Sequence, residues 1–362
     1  MKRIILILLA AIAVSCRGND NHQRWSDEKA DAWYAAQPWI SGCDYIPANA
    51  INQLEMWQAD TFDPETIDRE LGWAEELGFN CMRVFLHHLA WEQDRDGFVD
   101  RIDRYLKIAD SHGIKTMFVF LDDCWCVTAS PGKQPEPKKG VHNSGWLADP
   151  GALYFAQDGK SYAADTTAIV NELEKYVKDI LGVFKDDARI QFWDLYNEPG
   201  GGPGHSYRQR SMPLLKDIFR WAREVGPSQP ITSGIWSSAL GEMNVWQITH
   251  SDIVTYHTYQ PLDSHTALLD TLSRYGRPMV CTEYMARTLN STFQTIMPML
   301  RERGVGAINW GFVTGKTNTR FPWESPEGSE GPDLWFHDIL HGDGTPYNVE
   351  ETDCIKKVNA TR

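Results

Sequence analysis

Two short segments of the 362-residue chain each bring a carboxylate to the end of an apolar run. One reads Trp193-Asp194-Leu195-Tyr196-Asn197-Glu198-Pro199, the other Val280-Cys281-Thr282-Glu283-Tyr284. Two carboxylates held close together do complementary work at a polar bond. The protonated one gives its proton to a departing oxygen, and the ionised one attacks carbon or activates water. Alone, Glu198 reads as a surface acid in a tight turn before Pro199. The pairing with Glu283 sets it apart, and its value depends on elements that bring positions 198 and 283 together.

Those elements are legible as an alternation. Short β-branched or aromatic runs cover Trp39–Tyr45, Asn80–Leu86, Lys115–Leu121, Ile190–Tyr196, Pro230–Trp236, Ile253–Tyr259, Pro278–Tyr284 and Val305–Val313. Between them lie amphipathic segments with apolar residues at helical spacing: Pro64–Leu77, Val99–His112, Thr166–Phe184, Met212–Val225, Ala267–Tyr275 and Thr292–Arg303. Gly78, Gly113, Gly276 and Gly304 follow such segments, where a left-handed residue ends a helix before the next strand. Near-continuous apolar strands alternating with helices predict an α/β fold with a parallel sheet covered on both faces. Eight units close as a (β/α)8 TIM barrel with long catalytic-face loops, Asp122–Asp165 and Thr314–Pro332. No Gly-rich phosphate turn follows the first strand, which speaks against an open doubly wound sheet.

In such a barrel Glu198 and Glu283 end strands four and seven at the catalytic face. Two carboxylates converging there are what retaining glycoside hydrolysis requires, at a separation of about 5–5.5 Å. With this pair in view, the chain resembles clan A of the retaining glycoside hydrolases, closest to family 5, the cellulase/mannanase-like group. Asn197-Glu198-Pro199, Thr282-Glu283-Tyr284, Arg83 in Asn80-Cys81-Met82-Arg83, His257-Thr258-Tyr259 and Trp310 carry the resemblance, which spans about Gly42 to Tyr347.

The resemblance implies a hydrolase of β-linked glucan, mannan or xylan polysaccharide or oligosaccharide, acting by double displacement without a cofactor. It casts Glu198 as acid/base and Glu283 as nucleophile. Asn197 would bind the sugar 2-hydroxyl, and Arg83 would hold Glu283 ionised. Tyr259 or His257 would donate to Glu283, and Trp310 would floor the reacting sugar. After Arg83 the family pattern often has a Pro-containing loop. This chain has Phe85-Leu86-His87-His88, a departure that bears on the substrate.

Other residues invite weaker readings. Trp125, Trp146, Trp236 and Trp323 are candidate sugar platforms among 15 Trp, about half of which read as core. His87 and His88 are neighbours on a presumed strand, so they face opposite sides and cannot share a metal. One of them is a candidate for a sugar hydroxyl. Asp122 and Asp123 end the third strand, either lining the cleft or solvated. Two further functions compete with a glycosidase: a non-catalytic glycan-binding lipoprotein, and a metal-dependent hydrolase using His87, His257 and an acid.

The net charge of −14 disfavours nucleic acid and anionic membrane surfaces as partners. Residues 1–15 read as a signal peptide. Lys2 and Arg3 precede an apolar run, Ile4–Val14, that is too short to span a bilayer. Ala13-Val14-Ser15-Cys16 resembles a lipobox, with Ala13 where Leu is commoner. Cys16 is the expected lipidation site of an exported protein anchored at the outer membrane, followed by a tether and lead-in over 16–38. Residues 39–362 form the single barrel domain, expected to act as a monomer with its membrane contact confined to the lipid. Of the other six cysteines, Cys43, Cys81 and Cys281 sit in apolar runs, and Cys124-Trp125-Cys126 has neither zinc nor redox spacing, so most are expected to stay unpaired.

Overall fold

The computed structural model describes residues 23–361; the signal-peptide segment and Cys16 lie outside them. Eight strands run in chain order: β1 Ser41–Asp44, β2 Cys81–Phe85, β3 Lys115–Asp122, β4 Ile190–Asn197, β5 Ile231–Thr232, β6 Val254–His257, β7 Met279–Glu283 and β8 Gly306–Asn309. All are parallel, ordered β5-β4-β3-β2-β1-β8-β7-β6. The circle closes between β5 and β6 through a single bridge, Ile235 to Tyr256, with Ile235 N–H donating to Thr255 and His257 N–H to Ile235. The protein is a (β/α)8 TIM barrel.

Six of the expected strands contain the observed ones, β3 and β4 each run one residue further, to Asp122 and Asn197, and β5 is much the shortest. Its ladder stops after Thr232 because the Ser233 hydroxyl turns inward to the Tyr196 carbonyl. β8 ends at Asn309, since Gly311 takes a left-handed φ of 85°.

Helices Pro64–Glu76, Arg95–Ser111, Thr167–Phe184, Met212–Val225, Gly241–His250, Leu262–Leu272, Phe293–Glu302 and Val349–Ala360 follow the eight strands in turn. Three of them start on a side-chain cap: Asp63 accepts from Thr66 N–H with Pro64 in the first turn, Asp94 from Gly97 N–H and Asn348 from Glu350 N–H. Gly78, Gly113, Gly276 and Gly304 all have positive φ, as helix-ending residues do. Periodicity had not marked Gly241–His250 or Val349–Ala360. The first ends in Trp246, Thr249 and His250, and the second is rich in charge.

The two mouths of the barrel differ. Ile40, Cys81, Met117, Phe192, Ile253, Val280 and Ile308 form a separate apolar cluster at the strand beginnings, packed by Trp33 and Tyr34. Those two rings belong to helix Asp27–Ala35, a regular element inside the expected 16–38 lead-in. The strand ends are instead lined by acids, an arginine and aromatic rings. The long segment after β3 is tied back there by an antiparallel bridge between Asp122 and Asp149.

Candidate active site

Arg83, on the middle of β2, is fully buried, and all its donors are committed. Nη1 reaches Asp44 Oδ1 at 2.6 Å and Glu283 Oε1 at 2.8 Å; Nη2 reaches Asp194 Oδ2 at 2.8 Å and Asn197 Oδ1 at 2.6 Å; Nε adds Asp194 Oδ2 at 3.2 Å. One guanidinium thereby ties β1, β2, β4 and β7 at a single level. The pairing of Asp44 with Arg83 in the β1–β2 register sets that level. A planar fork with five N–H groups suits this, and a lysine could not replace it.

Glu198 follows the last residue of β4 with a left-handed φ of 43°. Its Oε1 lies 2.9 Å from His257 Nδ1, and its Oε2 lies 3.1 Å from Cys124 Sγ. Glu283 ends β7, paired with His257 across a register shift in β6–β7. Tyr259 donates its hydroxyl to Glu283 Oε2 at 2.7 Å, and His257 Nδ1 lies 3.6 Å from that oxygen. An oxygen of Glu198, one of Glu283 and a nitrogen of His257 all fall within 4.8 Å of one another. Glu198 keeps more solvent access, with a side chain 17% exposed against 6% for Glu283.

Burial raises the pKa of both glutamates. Arg83 acts on Glu283 in the expected direction, favouring its ionised form, but burial outweighs it. The guanidinium opposes burial, but it divides its charge among Asp44, Asp194 and Glu283. Glu283 still has the stronger charge-stabilising partners, a cation and a phenol. Glu198 has a thiol and an imidazole that burial pushes down to about 4, so that His257 is neutral near pH 7. The direct partners of Glu283 thus favour its carboxylate form more strongly than those of Glu198 do.

No family model matches the chain, and no curated protein does. Solved structures do. GH5_18 from Streptomyces cattleya in complex with GlcNAc superposes with a TM-score of 0.61 at 12% identity, covering 89% of this chain and 80% of that one. A glycoside hydrolase family 5 mannosidase from Rhizomucor miehei gives 0.55 at 13% identity, covering 89% and 92%. An exo-β-1,4-mannosidase from Opitutaceae bacterium strain TAV5 gives 0.59 at 17% identity, covering 94% and 61%. The barrel is common to all of them.

Within this barrel the residues singled out from sequence fall into three groups. Glu198, Glu283, Asn197, Arg83, His257 and Tyr259 form one connected network. Trp310 stands beside it, 7% exposed, edge-on to Phe85 and Trp146 at 5.9 and 5.3 Å. Trp125 and Trp323 are each 38% exposed; Trp323 meets Tyr259 edge-on at 5.0 Å, and Trp125 lies 5.3 Å from His142. Trp236 is half-buried, its indole N–H given to Pro199 O at 3.1 Å. Trp146 is buried, its N–H given to Asp122 at 2.8 Å, so it supports the site from behind.

His87 and His88 depart from expectation. β2 stops at Phe85, and His87 caps a short helix, His88–Gln93, so strand alternation does not apply. Their rings stack at 5.3 Å and both face Asp149, with His88 Nδ1 hydrogen-bonded to its carboxylate. Both histidines are buried, which removes them as candidates for a sugar hydroxyl in an open cleft. Among the described residues, His87 groups with His88 and Asp149, while His257 groups with Glu198 and Glu283. The trio of His87, His257 and an acid is not assembled.

Asp122 and Asp123 are neither solvated nor lining a cleft. Asp122 accepts from Asn197 Nδ2, Trp146 Nε1 and Cys124 N–H, and burial pushes it up to about 8. Asp123 accepts from the Tyr196 hydroxyl, Ser211 and Gly200 N–H, and is pushed up to about 7. Sequence reasoning missed Asp44, Asp194 and Cys124. For the two acids the signal was present, as a charge inside or ending a strand buried on both faces. Cys124 carried none, because its position depends on the turn after β3. The six described cysteines are free thiols.

Proposed function

We propose that the protein is a retaining β-glycosidase. The observation that carries this reading is the approach of Glu198 and Glu283, with one oxygen of each inside 4.8 Å. That approach fits the short separation of a retaining pair, about 5–5.5 Å, better than the about 6.5–9.5 Å at which an inverting pair holds a water. The asymmetry of their partners supports the following roles. Glu283, ionised first, attacks the anomeric carbon as the bond to the leaving oxygen breaks, and Glu198 passes its proton to that oxygen. In the second half a water attacks the same carbon, gives its proton to Glu198, and releases Glu283 from the glycosyl ester. Asn197, fixed by Arg83 and Asp122, turns the amide N–H that rests 3.7 Å from Cys124 Sγ to the 2-hydroxyl, a contact that strengthens in the transition state. Trp310 is the floor for the ring, and Trp125 and Trp323 are outer platforms.

For substrate we propose a β-mannoside of an oligosaccharide. The similar folds include mannosidases, and one is in complex with Manβ1-4GlcNAc. The test is hydrolysis of 4-nitrophenyl β-mannoside beside its gluco, galacto and xylo counterparts, with proton NMR of the first product before mutarotation. Preferred release of β-mannose supports the whole reading. An α-anomer overturns the mechanism, and preference for another sugar overturns the substrate alone.

We also propose a lipid anchor on Cys16. Helix Asp27–Ala35, the first described element after Cys16, packs at the mouth opposite Glu198 and Glu283 and so leaves the site uncovered. Palmitate incorporation lost in Cys16→Ala supports the anchor, and equal incorporation in both overturns it.

A further inference from the structure

Glu198 has a neighbour that the reaction as written does not use. Cys124 Sγ lies 3.1 Å from Glu198 Oε2 and 3.7 Å from Asn197 Nδ2. The thiol is placed deliberately by its backbone. Cys124 N–H is held by Asp122 Oδ1 at 2.9 Å, and the next residue, Trp125, takes a left-handed φ of 69°. Asp122 is itself fixed by Asn197 and Trp146, so one carboxylate orients both the amide beside Glu198 and the thiol against it.

We propose that Cys124 is a positioning residue for Glu198, its S–H donating to Oε2 while His257 holds Oε1. This rests on the glycosidase reading above. Burial beside Glu198 and Asp122 pushes the thiol pKa up, so the sulfur keeps its proton and stays a donor. A donor at Oε2 fixes the carboxyl plane so that this oxygen faces the bond being cut. It also stabilises the carboxylate form, the form that takes a proton from water in the second step. The other groups facing Glu198 are accounted for. Arg83 from β2 and His205 from the loop after β4 also favour the carboxylate. Glu198 in turn raises the pKa of Glu283 from β7, Asp122 from β3 and Tyr259 beyond β6. His257 from β6 is neutral.

The experiment compares Cys124→Ala with Cys124→Ser, which returns a hydroxyl donor to nearly the same place. Both are first checked for wild-type melting temperature. Turnover of a 2,4-dinitrophenyl β-glycoside, which needs no acid for its first step, is limited by the second. In Cys124→Ala that turnover should fall about 2- to 10-fold, the range of one hydrogen bond. The basic limb of kcat/KM on a 4-nitrophenyl glycoside should move to higher pH, and Cys124→Ser should restore both. The same shift should appear in the 13C carboxyl titration of Glu198, assigned with Glu198→Gln, which needs no turnover. An unmoved titration in Cys124→Ala, or equal losses in Ala and Ser, overturns the role of the thiol. A wild type inert on every aryl β-glycoside overturns the glycosidase reading alone, and the carboxyl titration still decides for or against Cys124.

Discussion

Arg83 and Glu283 stand 200 positions apart in the chain and meet at 2.8 Å. The same guanidinium holds Asp194 and Asn197, so it fixes the geometry of both strand ends that carry a glutamate. Arg83→Lys keeps the charge but loses the fork. Three buried acids then share one ammonium, and Asn197 loses its donor. We expect kcat/KM to fall by about 100-fold or more, from misplacement of the pair. Unfolding free energy should drop by about 3 kcal/mol, as for other broken buried pairs. Urea melts alongside kinetics check this. Unchanged kinetics would show that the pair is held by other means.

Role assignment is decided by leaving groups. Glu198→Ala should lose about 100-fold or more on a natural glycan, the scale of positioned acid catalysis. On a dinitrophenyl glycoside its first step should stay near wild type, with the covalent intermediate accumulating. Glu283→Ala should be inactive on both. The reverse pattern would exchange the roles.

The pH–rate profile of kcat/KM should be a bell, its acidic limb from Glu283 and its basic limb from Glu198. Burial raises both, which places the bell above the ordinary carboxylate range. Tyr259→Phe removes a donor to the Glu283 carboxylate, so Glu283 holds its proton to higher pH and the acidic limb moves up. A limb unmoved by this change would show that Tyr259 does not act on the nucleophile.

The tryptophans should separate by burial. Trp125→Ala and Trp323→Ala, at exposed rings, should raise KM about 2- to 10-fold, the worth of one aromatic face, with little change in melting temperature. Trp310→Ala should lower both activity and stability, because Phe85 and Trp146 pack against it. Equal KM effects at all three would argue against Trp310 as the floor of the reacting ring.

Glu70 gives a stability prediction away from the site. It is buried under the β1 loop, accepting from the Tyr45 hydroxyl and Ala48 N–H, and burial pushes it from 4.5 up to about 7. The folded state binds its proton more tightly than the unfolded chain. Its contribution is therefore complete below pH 4.5 and lost as the pH rises through 7, by about 3 kcal/mol in all. Glu70→Gln does not titrate, so its melting temperature should gain on wild type between pH 4.5 and 8. A constant difference would show that Glu70 is ionised throughout.

The barrel was legible because each strand is buried on both faces and each helix on one, patterns that local sequence records without its partners. Glu198 and Glu283 were legible for a related reason: polar residues ending apolar strands point where the strands point, toward one mouth. Arg83, Asn197, His257 and Tyr259 were instead picked out by the family resemblance, Arg83 from the middle of its strand. What tertiary structure alone decided lies where backbone direction changes. His87 and His88 left the expected alternation because β2 stops at Phe85 and the chain turns into a helix. Asp122 and Asp123 became buried acceptors because the loop after β3 folds back over them. Cys124 reached Glu198 through that turn and a left-handed Trp125, neither of which has a period to read. Sequence by itself determined which residues face the mouth of the barrel. The distances between them were decided by side chains from separate strands converging on one buried guanidinium, a contact that no single stretch of sequence records.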